Sequence, residues 1–178
     1  MTTVRLALFS ALIALVACAP VPEGRIGPDG LPLPQVYRIS EGDEQGVYFR
    51  FLDGLNALRG AVGAGEVRFS AELNAAAATH ARDMALQNRP WHFGSDGSSP
   101  LDRVQRVGYP GELVGEAISE TYEGELETLG AWAEAPETRG VLLDPQAVEI
   151  GLAWYQEPAG KLWWTLVTGR PSDAVLSE

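Results

Sequence analysis

Both histidines of the chain and one unusually placed carboxylate lie within a single stretch of sequence. His80 falls in the segment H-A-R-D-M, His92 precedes F-G-S-D-G, and Glu116 interrupts an apolar pattern. An imidazole beside a carboxylate can act as a general base, contribute to a metal site, or only neutralise a buried acid. We therefore treat residues 80–116 as the candidate functional region.

Glu116 needs a partner whatever its function is. A strand is predicted over residues 113–119, and its alternation places Glu116 on one apolar face with Val114 and Ile118. Burying a carboxylate without a hydrogen-bond donor is costly. An imidazole is the natural partner, which favours a contact between Glu116 and His92.

Hydrophobic periodicity places the other histidine inside the protein. A helix predicted to begin after Ser70, a favourable N-cap, carries His80 on its buried stripe. We therefore expect a core histidine that makes one hydrogen bond. Further along, Ser99 and Asp102 have the spacing of a capping box that begins a short helix.

The remaining elements complete an α+β order, with helices first and a hairpin last. Apolar stripes predict helices over residues 46–58 and 126–132, with a further helical turn over 138–143. Alternation predicts two strands over 148–154 and 162–168, which the intervening Pro-Ala-Gly loop joins as an antiparallel hairpin.

The N-terminal sequence indicates export. Residues 6–17 form an uncharged apolar run after Arg5, too short to cross a hydrocarbon layer of about 30 Å. The run ends at Cys18, the only cysteine, and this ending resembles the lipobox of bacterial lipoproteins. We expect residues 1–17 to be removed as a signal peptide and Cys18 to be lipidated and to hold the protein on a membrane. An ordinary secretory signal with an incidental cysteine is the alternative.

Composition and charge limit what the mature protein can bind. Prolines and glycines predict a tether over residues 18–45, followed by a folded domain over 46–170 and a tail over 171–178. The formal net charge of −11 repels phosphate backbones, so nucleic acid is not expected as a partner. Ala19 after the cysteine is similar to the sorting signal of outer-membrane lipoproteins that face the periplasm. The cell surface and secretion are alternatives.

Taken together, motifs over residues 47–169 resemble the bacterial branch of the CAP superfamily, which includes cysteine-rich secretory proteins, antigen 5 and pathogenesis-related 1 proteins. The resemblance is carried, in order, by L-N-A-L-R, A-A-x-x-H-A-R-D-M, H-F-G-S-D-G-S-S-P-x-D-R-V, G-Y, G-E, E-I-G-L-A and W-W-T-L-V-T-G. It implies an α-β-α sandwich with an antiparallel sheet and a C-terminal hairpin.

The resemblance also implies a cavity with two histidines and two glutamates, which bind a divalent metal such as zinc in some members. His92 matches the first histidine and Glu116 the first glutamate. Thr138 stands where the later histidine is usual, and Glu134 is a candidate for the second glutamate. His80 is a further candidate ligand. Because the histidine is replaced, we expect no tightly bound zinc.

Three functions remain open at this stage. A His92–Glu116 pair is the base half of a hydrolase triad, but no G-x-S-x-G nucleophile motif occurs. Turn and cap chemistry explains Ser95, Ser98 and Ser99 better than a nucleophilic role does. The favoured hypothesis is a non-catalytic envelope domain that binds a small apolar ligand, a glycan or a protein partner, with a hydrolase or a metal-binding protein as alternatives. Four tryptophans could line its groove, although such spacings are more typical of a core: Trp91, Trp132, Trp163 and Trp164.

Overall fold

A four-stranded sheet separates two layers of helices in the computed structural model, which describes residues 36–172. The helices α1 to α5 span Glu44–Ala61, Ala71–Gln87, Pro100–Arg106, Glu125–Glu134 and Pro136–Leu143. The strands β1 to β4 span Arg68–Phe69, Gly111–Thr121, Glu149–Gln156 and Leu162–Pro171. The predictions for the signal peptide, for Cys18 and for most of the tether and tail lie outside the described residues.

The sheet order is β1-β3-β4-β2. The predicted hairpin is present as β3 and β4, and β2 pairs antiparallel with β4 on its other side. The predicted antiparallel sheet is present in β2, β3 and β4, and β1 adds one parallel pairing with β3, which makes the sheet mixed. This strand contains only two residues, too few for any alternation to be detected in the sequence.

Each face of the sheet buries a different helix layer. On one face, α1, α4 and α5 pack against Ile150, Leu152 and Trp164. On the other face, α2 and α3 pack against Ala153 and Val167. The chain is thus an α-β-α sandwich, and the side chains that alternate along β3 and β4 supply both cores. Three of the tryptophans are core residues, as the spacing favours: Trp132, Trp163 and Trp164.

The helix that carries His80 lies unusually close to the sheet. A Cβ atom built on Gly151 would come within 2.0 Å of the Leu73 backbone, so only glycine permits this approach between β3 and α2. The predicted N-cap is confirmed, since the Ser70 side chain accepts a hydrogen bond from the Leu73 amide. The distance of α2 from the sheet and the first residue of this helix are therefore fixed, and together they determine where His80 lies.

A register shift in β2 changes the sheet face on which some of its side chains lie, compared with the prediction. The shift lies between Leu113 and Gly115. Because of it, Val114 packs with the α1, α4 and α5 layer, whereas Leu113 packs with α2 and α3. Glu116 is paired with Val167, so it lies on the α2 and α3 face. The prediction that Val114 and Glu116 share a face was wrong, because alternation cannot reveal a bulge.

The folded unit begins earlier than predicted. Residues from Val36 onward belong to it, and α1 begins at Glu44. Tyr37 donates a hydrogen bond to Glu125 at 2.7 Å, and Gln156 exchanges hydrogen bonds with the backbone of Tyr37 and Ile39. Assigning residues 36–45 to the tether was therefore wrong. Between residues 36 and 172, no helix is long and apolar enough to cross a membrane.

Candidate functional site

Glu116 is the centre of a buried ionic cluster. Its side chain is 3% exposed, and each of its carboxylate oxygens has a separate partner. Oε1 lies 2.8 Å from Nδ1 of His92, and Oε2 accepts a hydrogen bond of 2.7 Å from Nη2 of Arg103. We call Glu116, His92, Arg103 and His80 the Glu116 cluster. The contact between His92 and Glu116 is the one expected from the sequence.

Arg103 is the functional residue that the sequence analysis missed. It is 4% exposed, and besides Glu116 it donates hydrogen bonds of 3.1 Å to the backbone carbonyls of Ser98 and His92. The capping box formed by Ser99 and Asp102 is confirmed, and it fixes the register of α3 so that Arg103 faces inward beside Val104. The position of Arg103 next to the apolar Val104 was the signal available in the sequence. An arginine on the apolar side of a short, well-capped helix needs a buried acid as its partner.

The arginine and the histidine together attach the α2–α3 loop, residues 88–99, to the sheet. Within this loop the Gly94 amide donates to the Ser98 carbonyl at 2.8 Å, and Gly97 has a φ of 80° that favours glycine. His92 binds Glu116 directly, and the Ser98 carbonyl is linked to Glu116 through Arg103. A single carboxylate on β2 therefore holds both the loop and α3.

His80 lies fully buried on α2 and makes one hydrogen bond, as expected. Its Nε2 is 2.9 Å from the Trp91 carbonyl, and a carbonyl can only accept, so Nε2 carries the proton. Burial lowers the pKa of His80, an effect that the Glu116 carboxylate opposes and the Arg103 guanidinium reinforces. The ring is therefore neutral, and its Nε2 is 3.7 Å from Oε1 of Glu116.

His92 is the accessible member of the cluster, with 49% of its side chain exposed. An ionised carboxylate only accepts hydrogen bonds, so Nδ1 of His92 donates to Glu116 and leaves Nε2 as an unprotonated nitrogen when the ring is neutral. This is the tautomer of a general base. Nearby serines have other partners, since Ser95 donates to Asp83 at 2.6 Å and Ser99 to Asp102 at 2.7 Å.

Thr138 and Glu134 make no polar contact with Glu116 in the part of the chain that the structure describes. Thr138 donates its hydroxyl to the carbonyls of Trp132 at 2.7 Å and Ala135 at 3.3 Å, so it connects the end of α4 to the start of α5. Glu134 is exposed at the end of α4.

The side chains of the Glu116 cluster are not arranged to coordinate a divalent cation. Both oxygens of Glu116 are occupied, and the guanidinium at 2.7 Å would repel a metal ion. His80 directs its Nε2 proton at a carbonyl and its unprotonated Nδ1 is fully buried, which leaves Nε2 of His92 as the accessible nitrogen. Over residues 36–172, no group of three histidine, cysteine, aspartate or glutamate side chains is placed to hold a metal.

Comparisons with known proteins agree with this fold. The family model described as CAP, cysteine-rich secretory protein family, matches residues 52–168. The chain therefore belongs to the CAP family. No curated protein matches it significantly in sequence.

Three solved bacterial structures share the fold at low identity. An outer surface protein from Borrelia burgdorferi has a TM-score of 0.67 at 14% identity, over 78% of this chain and 100% of that one. An extracellular protein containing an SCP domain from Bacillus anthracis has a TM-score of 0.64 at 22% identity, over 83% of this chain and 45% of that one. A cysteine-rich secretory protein from Staphylococcus aureus has a TM-score of 0.59 at 11% identity, over 81% and 45%.

Acid should destabilise the fold through His80. The folded state has the lowered pKa, so below the ordinary histidine pKa of about 6.5 the unfolded chain binds a proton that the folded chain does not. The free energy of unfolding should therefore fall as the pH decreases from about 6.5, with a slope of at most about 1.4 kcal/mol per pH unit. Above about pH 7 this residue should have no effect.

Urea unfolding of the wild type and His80→Gln from about pH 7.5 to about pH 5 measures this slope. The glutamine amide can still donate to the Trp91 carbonyl but does not titrate, so the variant should lose the slope. His92→Gln, at the exposed histidine, is the matched control. An identical pH slope in the wild type and His80→Gln would contradict the assignment of His80 as buried and neutral.

Proposed function

We propose that this chain is an exported, membrane-tethered CAP domain that binds a ligand or partner and does not catalyse a reaction. The observation that carries the proposal is the sharing of Glu116 between a buried guanidinium and an imidazole. In a catalytic pair the carboxylate is held ready to stabilise an imidazolium. Here one oxygen of that carboxylate is already bound to the buried guanidinium of Arg103, so Glu116 is part of a structural ion pair.

A structural role accounts for every contact of the cluster. Arg103 and His92 supply the donors that a buried carboxylate requires, and their backbone contacts hold the α2–α3 loop against the sheet. Such a network is expensive to break by removing one member, because the partner is left as an uncompensated buried charge. A hydrolase is the second candidate, favoured by the tautomer and exposure of His92.

Location on a membrane is the other part of the proposal. Its support is the apolar run that ends at Cys18, together with two similar structures, which are those of an outer surface protein and an extracellular protein. We propose lipidation at Cys18 and a tether that begins there and ends before Val36, where the folded unit starts. The periplasmic face of the outer membrane is the proposed site.

Replacing Cys18 tests the membrane attachment. Because the proposed acyl groups are the protein's hold on the bilayer, Cys18→Ala should move the protein from the membrane fraction to the soluble fraction, or stall its processing. Fractionation with a radiolabelled fatty acid measures both properties. The wild type should incorporate the label and the variant should not. Unchanged membrane fractionation of the variant, together with an unlabelled wild type, would contradict lipidation.

A double-mutant cycle tests the structural role of the cluster. Glu116→Leu and Arg103→Met should each lower the free energy of unfolding by about 3–5 kcal/mol, because each leaves its partner buried and unpaired. The double variant should cost less than the sum of the two, since no buried charge is left. Glu112 and Arg170 provide the matched control, because they form an exposed pair on the same sheet. Their coupling should be about 0–1 kcal/mol.

Assays of the wild type and of His92→Ala distinguish a binding domain from a hydrolase. Wild type and His92→Ala should both lack turnover in a screen of peptide and ester substrates, while His92→Ala should lose about 1–3 kcal/mol of stability. A robust activity that His92→Ala abolishes at little cost in stability would overturn the non-catalytic proposal. Additive stability losses for Glu116→Leu and Arg103→Met would contradict the structural role of the cluster.

A further inference from the structure

The chain enters the folded unit at one end of the sheet, where side-chain contacts hold it. We call residues 36–39, which follow the proposed tether, the strap. The Tyr37 hydroxyl donates to Glu125 at the start of α4 at 2.7 Å. The Gln156 side chain, at the end of β3, donates to the Tyr37 carbonyl at 2.8 Å and accepts from the Ile39 amide at 3.2 Å. The point at which the tether meets the folded unit is therefore fixed.

Three large hydrophobic side chains are exposed at this end of the sheet. Val36, at the start of the strap, is 41% exposed and packs beside Gly160 in the β3–β4 loop. Tyr122 is 53% exposed and directly follows β2, whose last residue pairs with the first residue of β4. Leu126 is 47% exposed in the first turn of α4, next to the residue that binds Tyr37. We call Val36, Tyr122 and Leu126 the tether-end surface.

The composition of the tether-end surface suits the interface of a lipid bilayer. Aliphatic side chains are stabilised when they leave water. A tyrosine ring is favourable at the level of the head groups, where its hydroxyl stays in contact with water. Hydrophobic side chains that are exposed together indicate a surface that another apolar surface covers. Two aliphatic residues beside Tyr122 therefore favour a lipid surface over a strongly polar partner.

Carboxylates beside the tether-end surface determine which head groups it can approach. Glu120 is paired with Lys161 at 2.9 Å. Glu123 and Glu127 are exposed and form no ion pair among residues 36–172. Two unpaired carboxylates repel the head groups of anionic lipids, and salt screens this repulsion. The surface is therefore suited to zwitterionic lipids, which carry no net charge.

A lipid anchor at Cys18, as proposed above, keeps this surface close to a bilayer. A chain of the length of residues 18–35 reaches at most about 60 Å, and Val36 follows it directly. Two linked contacts act at an effective concentration that reaches the millimolar range. The second contact therefore forms even when it is weak by itself.

We infer that the tether-end surface docks on a bilayer of zwitterionic phospholipid, with Val36, Tyr122 and Leu126 against the head groups. The inference rests on the proposed function, which it deepens by adding a second contact between this chain and the membrane. The folded unit then has a fixed orientation, because the anchor and the docked surface hold the same end. Val62, the C-cap of α1 at the other end of the sheet, faces away from the bilayer.

Hydroxyl-radical footprinting on vesicles tests the inference, because oxidation of a side chain slows when a membrane covers it. The chain from Cys18 onward contains the whole folded unit, which begins at Val36. Its Cys18 thiol is coupled either to a maleimide phospholipid in phosphatidylcholine vesicles or to maleimide polyethylene glycol in solution. Coupling supplies the anchor whether or not the cell acylates Cys18. Tyr122 and Leu126 should be oxidised at least about threefold more slowly on the vesicles, as expected for a contact that is occupied most of the time.

Two exposed side chains are controls within the same molecule. Leu101 is 48% exposed and, like Leu126, is the second residue of a helix. Val62 is 60% exposed. It lies at the other end of the sheet, because Arg59 in the last turn of α1 donates to the Ala147 carbonyl just before β3 begins. Oxidation of Leu101 and Val62 should be the same on the vesicles as in solution.

Variants separate the apolar contact from the effect of head-group charge. Leu126→Gln should remove most of the protection of Tyr122, whereas the matched variant Leu101→Gln should leave it unchanged. Phosphatidylglycerol vesicles at low ionic strength should protect Tyr122 less than phosphatidylcholine vesicles do, because Glu123 and Glu127 repel anionic head groups. Combining Glu123→Gln with Glu127→Gln should abolish this difference between the two lipids.

Equal oxidation of Tyr122 and Leu126 on vesicles and in solution would overturn the inference, as would equal protection of the two control side chains or stronger protection on phosphatidylglycerol. Protection of the soluble conjugate that rises with protein concentration would also overturn it, and would assign the surface to a second copy of the chain. The proposed function fails in a different way, through an unlabelled Cys18 or through hydrolytic turnover that depends on His92. Neither result changes the footprint, since the coupled anchor replaces acylation.

Discussion

The burial of one carboxylate is the constraint on which the candidate site depends. Glu116 lies on the sheet face that α2 and α3 cover, where an unpaired charge would be strongly unfavourable. Arg103 and His92 meet its two oxygens, and both come from the segment that crosses from α2 to the sheet edge. The requirement to neutralise Glu116 therefore helps to fix the position of this loop, together with the hydrogen bonds of Ser95 to Asp83 and of His80 to the Trp91 carbonyl.

The same constraint fixes the side chain of Arg103. It uses Nη2 for Glu116 and Nη1 for the Ser98 carbonyl, so it is held rigidly between β2 and the α2–α3 loop. These contacts leave its Nε buried without a hydrogen-bond partner among the described residues.

Local sequence patterns predicted the helices and strands well. They predicted the long-range geometry of the site much less well. The caps at Ser70 and Ser99, the buried stripe that includes His80, and the C-terminal hairpin all rest on short-range spacing and are confirmed. Arg103 was missed because its role depends on a partner thirteen positions away in the chain, across a turn and a strand. The bulge near Val114 and the two-residue β1 leave no periodic signal. The packing of Tyr37 on Glu125 could not be read from a segment rich in proline and glycine.

Hydrogen exchange of the α2–α3 loop in wild type and Glu116→Gln tests the central claim most directly. The glutamine has nearly the same shape but no charge, so Arg103 and His92 lose their acceptor for charge-assisted hydrogen bonds. The account predicts faster exchange at the loop amides of Gly94 and Gly97 and at Arg103, with β3 and β4 protected as in the wild type. Unchanged protection of the loop in Glu116→Gln would contradict the claim that this carboxylate holds it in place.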